Sequence, residues 1–141
     1  MILLQDNSMS QEKSKAASSA SPAFHHCSLM VESTDRALDF YIDILELELD
    51  PMRPDMAYPG AWLQIGGGQI HLIELPNPDP VENRPEHGGR DRHLALQVAD
   101  LDVIIERLEK AGISYSKSKS GRAALFCRDF DGNAIELIEA R

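Results

Sequence analysis

The chain contains the stretch HCSLMV at positions 26–31 and a similar stretch, HLALQV, at positions 93–98, an offset of 67 residues from position 26 to position 93. Each stretch begins with histidine and has leucine fourth and valine sixth. Both are short, rich in apolar residues and bounded by polar segments, which is typical of a β-strand. The similarity indicates that the 141-residue chain contains an internal repeat.

A second pair of stretches supports the repeat. Residues 69–74 read QIHLIE and residues 133–139 read NAIELIE, and the two superimpose when His71 is laid on Glu136, an offset of 65 residues from position 71 to position 136. These stretches also predict strands. The repeat therefore has strands at both ends of each copy.

Each copy predicts one strand, one helix and three further strands. In the first copy we expect a strand over 24–31, a helix capped by Ser33 or Thr34, and strands over 47–50, 61–65 and 70–75. In the second copy we expect a strand over 93–98, a helix capped by Asp100 and ended by Gly112, and strands over 113–116, 123–127 and 134–139. The sequence thus predicts an α+β fold of two βαβββ modules, neither of which could bury its sheet face alone.

Two segments fall outside the modules. Residues 1–22 contain six serines and no aromatic residue, which predicts a disordered N-terminal tail. Residues 76–92 contain four prolines, which predicts a linker without regular structure. We therefore expect a single domain over residues 23–141, made of modules 23–75 and 93–141.

Composition excludes several classes of protein. The net charge is −9, which argues against a nucleic-acid binder and against docking on an anionic membrane. No apolar run is long enough for a spanning helix, and the first residues lack the basic segment of a signal peptide. With only two cysteines, Cys27 and Cys127, we expect a cytoplasmic protein with free thiols.

The repeat places four residues of metal-ligand type at equivalent positions. His26 and His93 begin the first strands of the two modules, and His71 and Glu136 lie on the last strands. If the two sheets curve around a common cleft, all four can converge on one divalent ion, with positions left open for water and substrate. Glu136 would then serve both as a ligand and as a base for proton transfer.

The other histidines and the cysteines have plainer interpretations. His87 lies in the predicted linker, and His25 should point to the sheet face opposite His26, so both are expected to be structural. Cys27 and Cys127 are expected to pack as small apolar side chains.

Further candidates remain open from the sequence. Trp62 either lines a substrate cleft or packs in the core. Arg53, Arg92 and Arg122 are able to bind substrate carboxylates, although a solvated surface position is the default for each.

Several motifs resemble those of the vicinal oxygen chelate superfamily, and the resemblance covers about residues 24–139. The first is the stretch over 26–31 followed by ALDFY at positions 37–41, and the second is the stretch over 93–98. The segment DFDGNAIEL at 129–137 is similar to the family's closing Asp-Pro-Asp-Gly-Asn-x-x-Glu, with Phe130 in place of the proline. The superfamily includes glyoxalase I, bleomycin-resistance proteins and extradiol dioxygenases.

This resemblance implies paired βαβββ modules that form a metal-binding cup. It implies His26, His71, His93 and Glu136 as ligands of a divalent ion such as Ni, Zn, Fe, Mn or Co. It also implies a homodimer that acts on a small molecule. Whether the cup forms within one chain or from modules of two chains stays open.

Among members, glyoxalase-I-like proteins are the most similar. This implies a lyase or isomerase that acts through an enediolate, with a glutathione hemithioacetal as one candidate substrate. His71 departs from the pattern, since glyoxalase I usually has glutamate there, and the change raises the charge of the site by one unit. The alternatives are a thiol transferase, a dioxygenase, or a metal-free protein that binds a drug-like ligand.

Overall fold

The computed structural model describes residues 20–140 and contains two four-stranded sheets, each with one α-helix. The first half comprises β1 (His26–Val31), α1 (Thr34–Tyr41), β2 (Glu48–Leu49), β3 (Gly60–Ile65) and β4 (Gly68–Glu74). The second comprises β5 (His93–Val98), α2 (Leu101–Lys110), β6 (Tyr115–Lys117), β7 (Ala124–Arg128) and β8 (Ala134–Glu139). Within the described range, neither helix is long and apolar enough to cross a membrane. The predicted tail over 1–22 lies outside the described residues except for its last three positions.

The two sheets have the same topology. Their strand orders are β1-β4-β3-β2 and β5-β8-β7-β6, and in each sheet the first and last strands of the copy pair in parallel. Ser28 pairs with His71 in one sheet, and Ala95 pairs with Glu136 in the other. These pairs are related by the offsets read from the sequence. The predicted α+β fold and the register of the repeat are therefore confirmed.

The helices begin where the sequence predicts. The Ser33 hydroxyl accepts a hydrogen bond from the backbone N–H of Arg36, and the Asp100 carboxylate accepts from the N–H groups of Asp102 and Val103. These caps satisfy donors that the first helical turn leaves unpaired.

Several predicted strands have different bounds in the structure. The strand expected over 24–31 begins only at His26, and the one expected over 123–127 is Ala124–Arg128. The strand expected over 47–50 contains only Glu48–Leu49, because Glu46 has a φ of 56° and the chain turns tightly just before it. The strand expected over 113–116 is Tyr115–Lys117. The reason is that the N–H of Ile113 is still bonded to the Leu108 carbonyl at the end of α2.

One apolar core joins both halves of the chain. Its members come from one face of each sheet and from the inner faces of α1 and α2, and the largest that are fully buried are Tyr41, Phe40, Leu63, Ile70, Leu72, Leu108, Leu125, Ile135, Leu137 and Val31. Because strand side chains alternate between faces, the residues between these apolar positions point to the opposite face of each sheet.

The turn before β8 fastens the second module to the first. The Tyr41 hydroxyl donates to Asp129 Oδ2 at 2.6 Å, and the Asn133 side-chain amide donates to the Met30 carbonyl at 3.3 Å. Asp129 is 5% exposed, and its Oδ1 also accepts from the backbone N–H groups of Asp131 and Asn133. Burial raises the pKa of the Asp129 carboxyl, and the hydrogen-bond donors offset this rise only in part. The closing motif therefore has a structural role at the junction of the modules.

The segment over 76–92 is more ordered than predicted. Gly88–Arg90 forms a single turn of 3-10 helix, and His87 Nδ1 accepts a hydrogen bond from the backbone N–H of Gly89. The expectation of a linker without regular structure is wrong at this turn. Gly88 is buried, and a Cβ there would lie 3.3 Å from Phe126, so close packing against β7 explains the turn.

Asp91 anchors the end of this segment. Its carboxylate forms a two-point ion pair with Arg84 at 2.7 and 2.8 Å and a further contact with Arg128 at 2.8 Å. The Asp91 side chain is only 6% exposed. The hydrogen bonds from Arg84, and then the one from Arg128, hold the pKa of Asp91 well below its usual range.

Replacing Tyr41 tests the junction between the modules. Tyr41→Phe removes one hydrogen bond to a buried carboxylate, so we expect the free energy of unfolding to fall by about 1.5–3 kcal/mol. Urea unfolding at neutral pH measures the change. Tyr115→Phe is the matched control, since its hydroxyl donates to the exposed Glu109 and its loss should leave the midpoint unchanged. Equal effects of the two variants would contradict the role of Tyr41.

The ion pairs of Asp91 predict that the stability of the fold depends on pH. A carboxyl group with a lowered folded pKa stabilises the fold above its unfolded pKa of about 3.9, and this stabilisation is lost as the pH falls toward the folded value. Asp91→Asn should therefore be less stable than the wild type at pH 7, and the difference should shrink between about pH 4 and pH 2. Asp79→Asn, which breaks an exposed pair with Arg92, is the control with no expected effect. A pH-independent difference would refute the electrostatic explanation.

Candidate metal centre

The four predicted ligands point away from the apolar core. Leu72 on β4 and Leu137 on β8 are at most 1% exposed, so the preceding residues of these strands face the opposite side. The same alternation applies on β1 and β5. The residues concerned are His26 on β1, His71 on β4, His93 on β5 and Glu136 on β8.

In the second module, His93 and Glu136 are in direct contact. His93 Nε2 lies 3.2 Å from Glu136 Oε2. His93 Nδ1 lies 2.9 Å from the Asp91 carbonyl oxygen, which can only accept, so Nδ1 carries a proton. Nε2 is thus the nitrogen directed at the carboxylate. A proton or a cation shared by the two atoms makes this approach favourable, since otherwise two lone pairs would face each other.

Glu136 is almost fully buried, and the Arg122 guanidinium contacts its other carboxylate oxygen. Its exposed fraction is 4%, and Arg122 Nη2 donates to Oε1 at 2.9 Å. The Arg122 side chain itself is 56% exposed. Glu136 Oε1 is therefore taken by Arg122, and Oε2 remains for the site.

The spacing of this pair fits a metal ion. Two ligands at right angles around an ion, each about 2.1 Å from it, lie about 3 Å apart. The distance of 3.2 Å from His93 Nε2 to Glu136 Oε2 is close to this value. One imidazole nitrogen and one carboxylate oxygen also suit a first-row divalent ion.

In the first module, the histidine rings are stacked. The ring centroids of His26 and His71 lie 4.0 Å apart at 15°, and those of His71 and Trp62 lie 4.4 Å apart at 6°. Ring nitrogens direct their lone pairs in the ring plane, so the nearly parallel rings cannot both reach one ion until one of them turns. His26 is exposed, whereas His71 lies between two rings, so His26 is the ring with room to turn.

The surroundings of His71 favour its neutral form. Burial lowers the pKa of His71, and the nearby rings of His26 and His25 lower it further. Neutral imidazole is the form that binds a metal ion. His25 itself was expected on the opposite face from His26, and this is wrong, because the Nδ1 atoms of the two rings lie 2.8 Å apart. The alternation fails here since β1 begins only at His26.

The four residues form two separate pairs. Across residues 20–140 of one chain, no group of three or more His, Cys, Asp and Glu side chains is placed to hold a metal ion. The donor types fit a divalent ion, and the second pair has a suitable spacing. Each sheet of a chain therefore carries one half of the predicted ligand set.

A small cavity touches one residue of the second pair, His93, whereas Glu136 does not line it. Its volume is about 240 Å³, and it lies between the first residues of β1 and those of β5. Its lining includes Leu29, His93 and the turn over 131–134. The volume suits a molecule of a few heavy atoms, smaller than the drug-sized ligands that fill most protein pockets.

The two cysteines have the environment of unreactive thiols. Burial raises the pKa of Cys127 to about 12, and burial also raises the pKa of the partly exposed Cys27. Trp62 packs on His71 at the site face and is not a member of the apolar core.

Sequence reasoning missed two residues beside His71, one in direct contact with the ring and one that contacts it through the first. Gln69 binds His71 Nε2, and Asp50 binds Gln69. The spacing Gln69-x-His71 could have predicted that Gln69 lies beside His71, since residues two apart share a strand face. The contact of Asp50 with Gln69 could not be predicted from the sequence, because the position of Asp50 depends on the turn that follows the short β2.

Comparisons of the sequence with known proteins agree on one family. The family model described as Glyoxalase/Bleomycin resistance protein/Dioxygenase superfamily matches residues 23–137. Glyoxylase I 4 of Arabidopsis thaliana is 29% identical over 121 residues, which covers 82% of this chain and 69% of that protein. The uncharacterized protein YaeR of Escherichia coli K12 is 30% identical over 130 residues, which covers 82% and 94% of the two chains.

Solved structures show the same fold at low identity. A putative glyoxalase family protein from Bacillus anthracis has a TM-score of 0.69 at 21% identity, covering 89% of this chain and all of that one. A mutant of the fosfomycin resistance protein FosX of Listeria monocytogenes, in complex with Mn(II) and 1S,2S-dihydroxypropylphosphonic acid, has a TM-score of 0.64 at 20% identity, covering 86% of this chain and 93% of that one. With the repeat, the paired sheets and the family match over nearly all described residues, the chain belongs to the glyoxalase/bleomycin resistance protein/dioxygenase superfamily.

Proposed function

We propose that the protein is a metal-dependent lyase or isomerase that acts on a small oxygenated substrate through an enediolate, with a glutathione hemithioacetal as the first candidate. The ion would be held by His26, His71, His93 and Glu136. The observation that carries the proposal is the contact of His93 Nε2 with the buried Glu136 Oε2, in which the Asp91 carbonyl fixes the proton of the imidazole on Nδ1.

We also propose that the site is completed between two chains. The two ligand pairs are separate within one chain, and each includes a residue of an edge strand, since β1 pairs only with β4 and β5 only with β8 in the described sheets. His26 and His93 are both exposed at these edges. A second copy that brings its β5 edge toward the first copy's β1 would join the two pairs, twice in a symmetric dimer.

The residues of the chain have distinct roles in this reaction. A bound divalent ion would polarise the substrate oxygens and stabilise the negative charge of the enediolate. Glu136 Oε2, the oxygen that faces His93, would move a proton between neighbouring substrate carbons, while Arg122 holds Oε1. Three neutral imidazoles and one carboxylate leave a divalent site with a net positive charge, which favours an anionic intermediate.

A second candidate function rests on the stacked rings. Trp62, His71 and His26 form a continuous stack whose outer ring, His26, is exposed. Such a flat surface favours a planar ligand and needs no metal. A metal-free protein that binds such a ligand is therefore the alternative.

Metal content separates the two candidates. After loading with Mn(II), Co(II), Ni(II) or Zn(II) and dialysis, we expect about one ion per chain by mass spectrometry of the elements, as for a protein whose ligands form one site. His71→Ala and Glu136→Ala should lose most of this metal, and His87→Ala, which alters a histidine outside both pairs, should keep it. A wild type that retains less than about one tenth of an ion per chain would contradict the metal-dependent function.

Activity tests the reaction itself. With methylglyoxal and glutathione we expect D-lactoylglutathione to form. Per bound metal ion, Glu136→Gln should lower kcat by about 10²–10⁴-fold, the usual effect of losing a general base. Lack of product with a fully metal-loaded protein would exclude this substrate.

Mixing variants tests whether the site spans two chains. His71→Ala and Glu136→Ala are each expected to be inactive and to have lost most of the metal. If ligand pairs come from different chains, an unfolded and refolded equimolar mixture should recover about one quarter of the wild-type sites, because half of the dimers are mixed and each of these has one intact site. If each chain completes its own site, the mixture recovers nothing.

A further inference from the structure

Asp50 lies at the centre of a hydrogen-bond network beside the first ligand pair. Its Oδ1 accepts from the backbone N–H of Met52 at 2.9 Å. Its Oδ2 accepts from the side-chain amides of Gln64 at 3.0 Å and Gln69 at 2.6 Å. The N–H of Asp50 donates to the Trp62 carbonyl at 2.8 Å, which fixes the residue against β3. Every contact of this carboxylate is therefore with a donor.

The network determines which way the Gln69 amide points. An ionised carboxylate can only accept, so the amide nitrogen of Gln69 must face Asp50 and the amide oxygen must face the other way. That oxygen, Oε1, lies 2.8 Å from His71 Nε2. Because an amide oxygen also only accepts, Nε2 of His71 must carry the proton. In the neutral ring, the lone pair is then on Nδ1.

The packing of the ring supports this assignment. His71 lies between Trp62 and His26, with interplanar angles of 6° and 15°. The strand register places Trp62 opposite His71 and Gln64 opposite Gln69, so the ring stack and the amide network are adjacent on one sheet face. The stack restrains the plane of the ring, and the network restrains its direction within that plane.

We propose that Asp50, acting through Gln69, is a positioning residue that sets the tautomer of His71 and makes Nδ1 the nitrogen available to a ligand. This inference rests on the proposed role of His71 in metal binding. The partner of the second nitrogen of a metal-binding histidine commonly fixes its tautomer and orientation, and the loss of such a partner typically weakens metal binding by about 10–100-fold. The two modules then use different devices, since the Asp91 backbone carbonyl fixes His93 and a side-chain relay fixes His71.

The tautomer can be read directly in metal-free protein. Long-range ¹H–¹⁵N spectra of the labelled full chain at pH 8 distinguish a protonated ring nitrogen from an unprotonated one. For the wild type we expect His71 with its proton on Nε2. In Asp50→Asn the amide of Gln69 is free to turn and donate to the ring, so a substantial share of His71 should carry its proton on Nδ1. Asp50→Glu, which keeps the carboxylate, should restore the Nε2–H form at least in part.

Gln64→Ala is the matched control. It removes another donor to the same Asp50 oxygen without touching the contact between Gln69 and His71, so the tautomer should stay as in the wild type. Titration with Co(II), followed by its absorption, should show about 10–100-fold weaker binding in Asp50→Asn and little change in Gln64→Ala.

The outcomes separate this inference from the proposed function. A wild type with its proton on Nδ1, or an Asp50→Asn variant with an unchanged tautomer, would overturn the role of Asp50 whatever the metal does. Normal Co(II) affinity in Asp50→Asn would overturn it too. A wild type that binds no Co(II) would contradict the proposed function, while the spectra would still decide whether Asp50 sets the tautomer.

Discussion

The alternation of side chains between the two faces of β4 and β8 determines which residues pack in the core and which face the candidate site. Leu72 and Leu137 are buried in the shared core, and a shift of either strand by one residue would turn them away from the core and direct His71 or Glu136 into it. Because burying an apolar side chain of this size stabilises the fold by about 1.5–3 kcal/mol, the core holds the register firmly. The candidate ligands keep their direction as a consequence of core packing.

The two modules have the same strand register, but the surroundings of their candidate ligands differ. His93 and Glu136 lie in an ionic setting, with Arg122 on the outer oxygen of the carboxylate. His26 and His71 lie in an aromatic setting, stacked with Trp62. A site built from one pair of each kind would combine Glu136, which is able to move protons, with the neutral ligands His26 and His71, which leave the positive charge of the ion unchanged. This division explains why one module alone would not suffice for the proposed reaction.

Much of the fold could be predicted from the sequence, because it depends on local patterns and on a repeat. The helix caps at Ser33 and Asp100 and the registers around His71 and Glu136 are of this kind. The strand β2 was predicted too long, since the tight turn at Glu46 gave no signal in the sequence. The 3-10 turn at Gly88–Arg90 was missed, since it depends on packing against the distant Phe126.

The candidate site was predictable only in part. The pairing of His93 with Glu136 follows from the repeat, and so does the proximity of His26 to His71. Neither the stacking of the rings nor the network from Asp50 could be inferred, because both depend on rotamers and on the path of the chain after β2. The separation of the two pairs within one chain depends on how the sheets pack, about which strand patterns carry no information.

The most direct test of the account is X-ray absorption spectroscopy of the zinc-loaded protein, since it counts the ligand types on the ion itself. The account predicts a zinc site with three imidazole nitrogens and oxygen from a carboxylate, at about 2.0–2.2 Å. A spectrum with at most one imidazole, or with sulfur in the first shell, would contradict the assignment of His26, His71, His93 and Glu136 as the ligands.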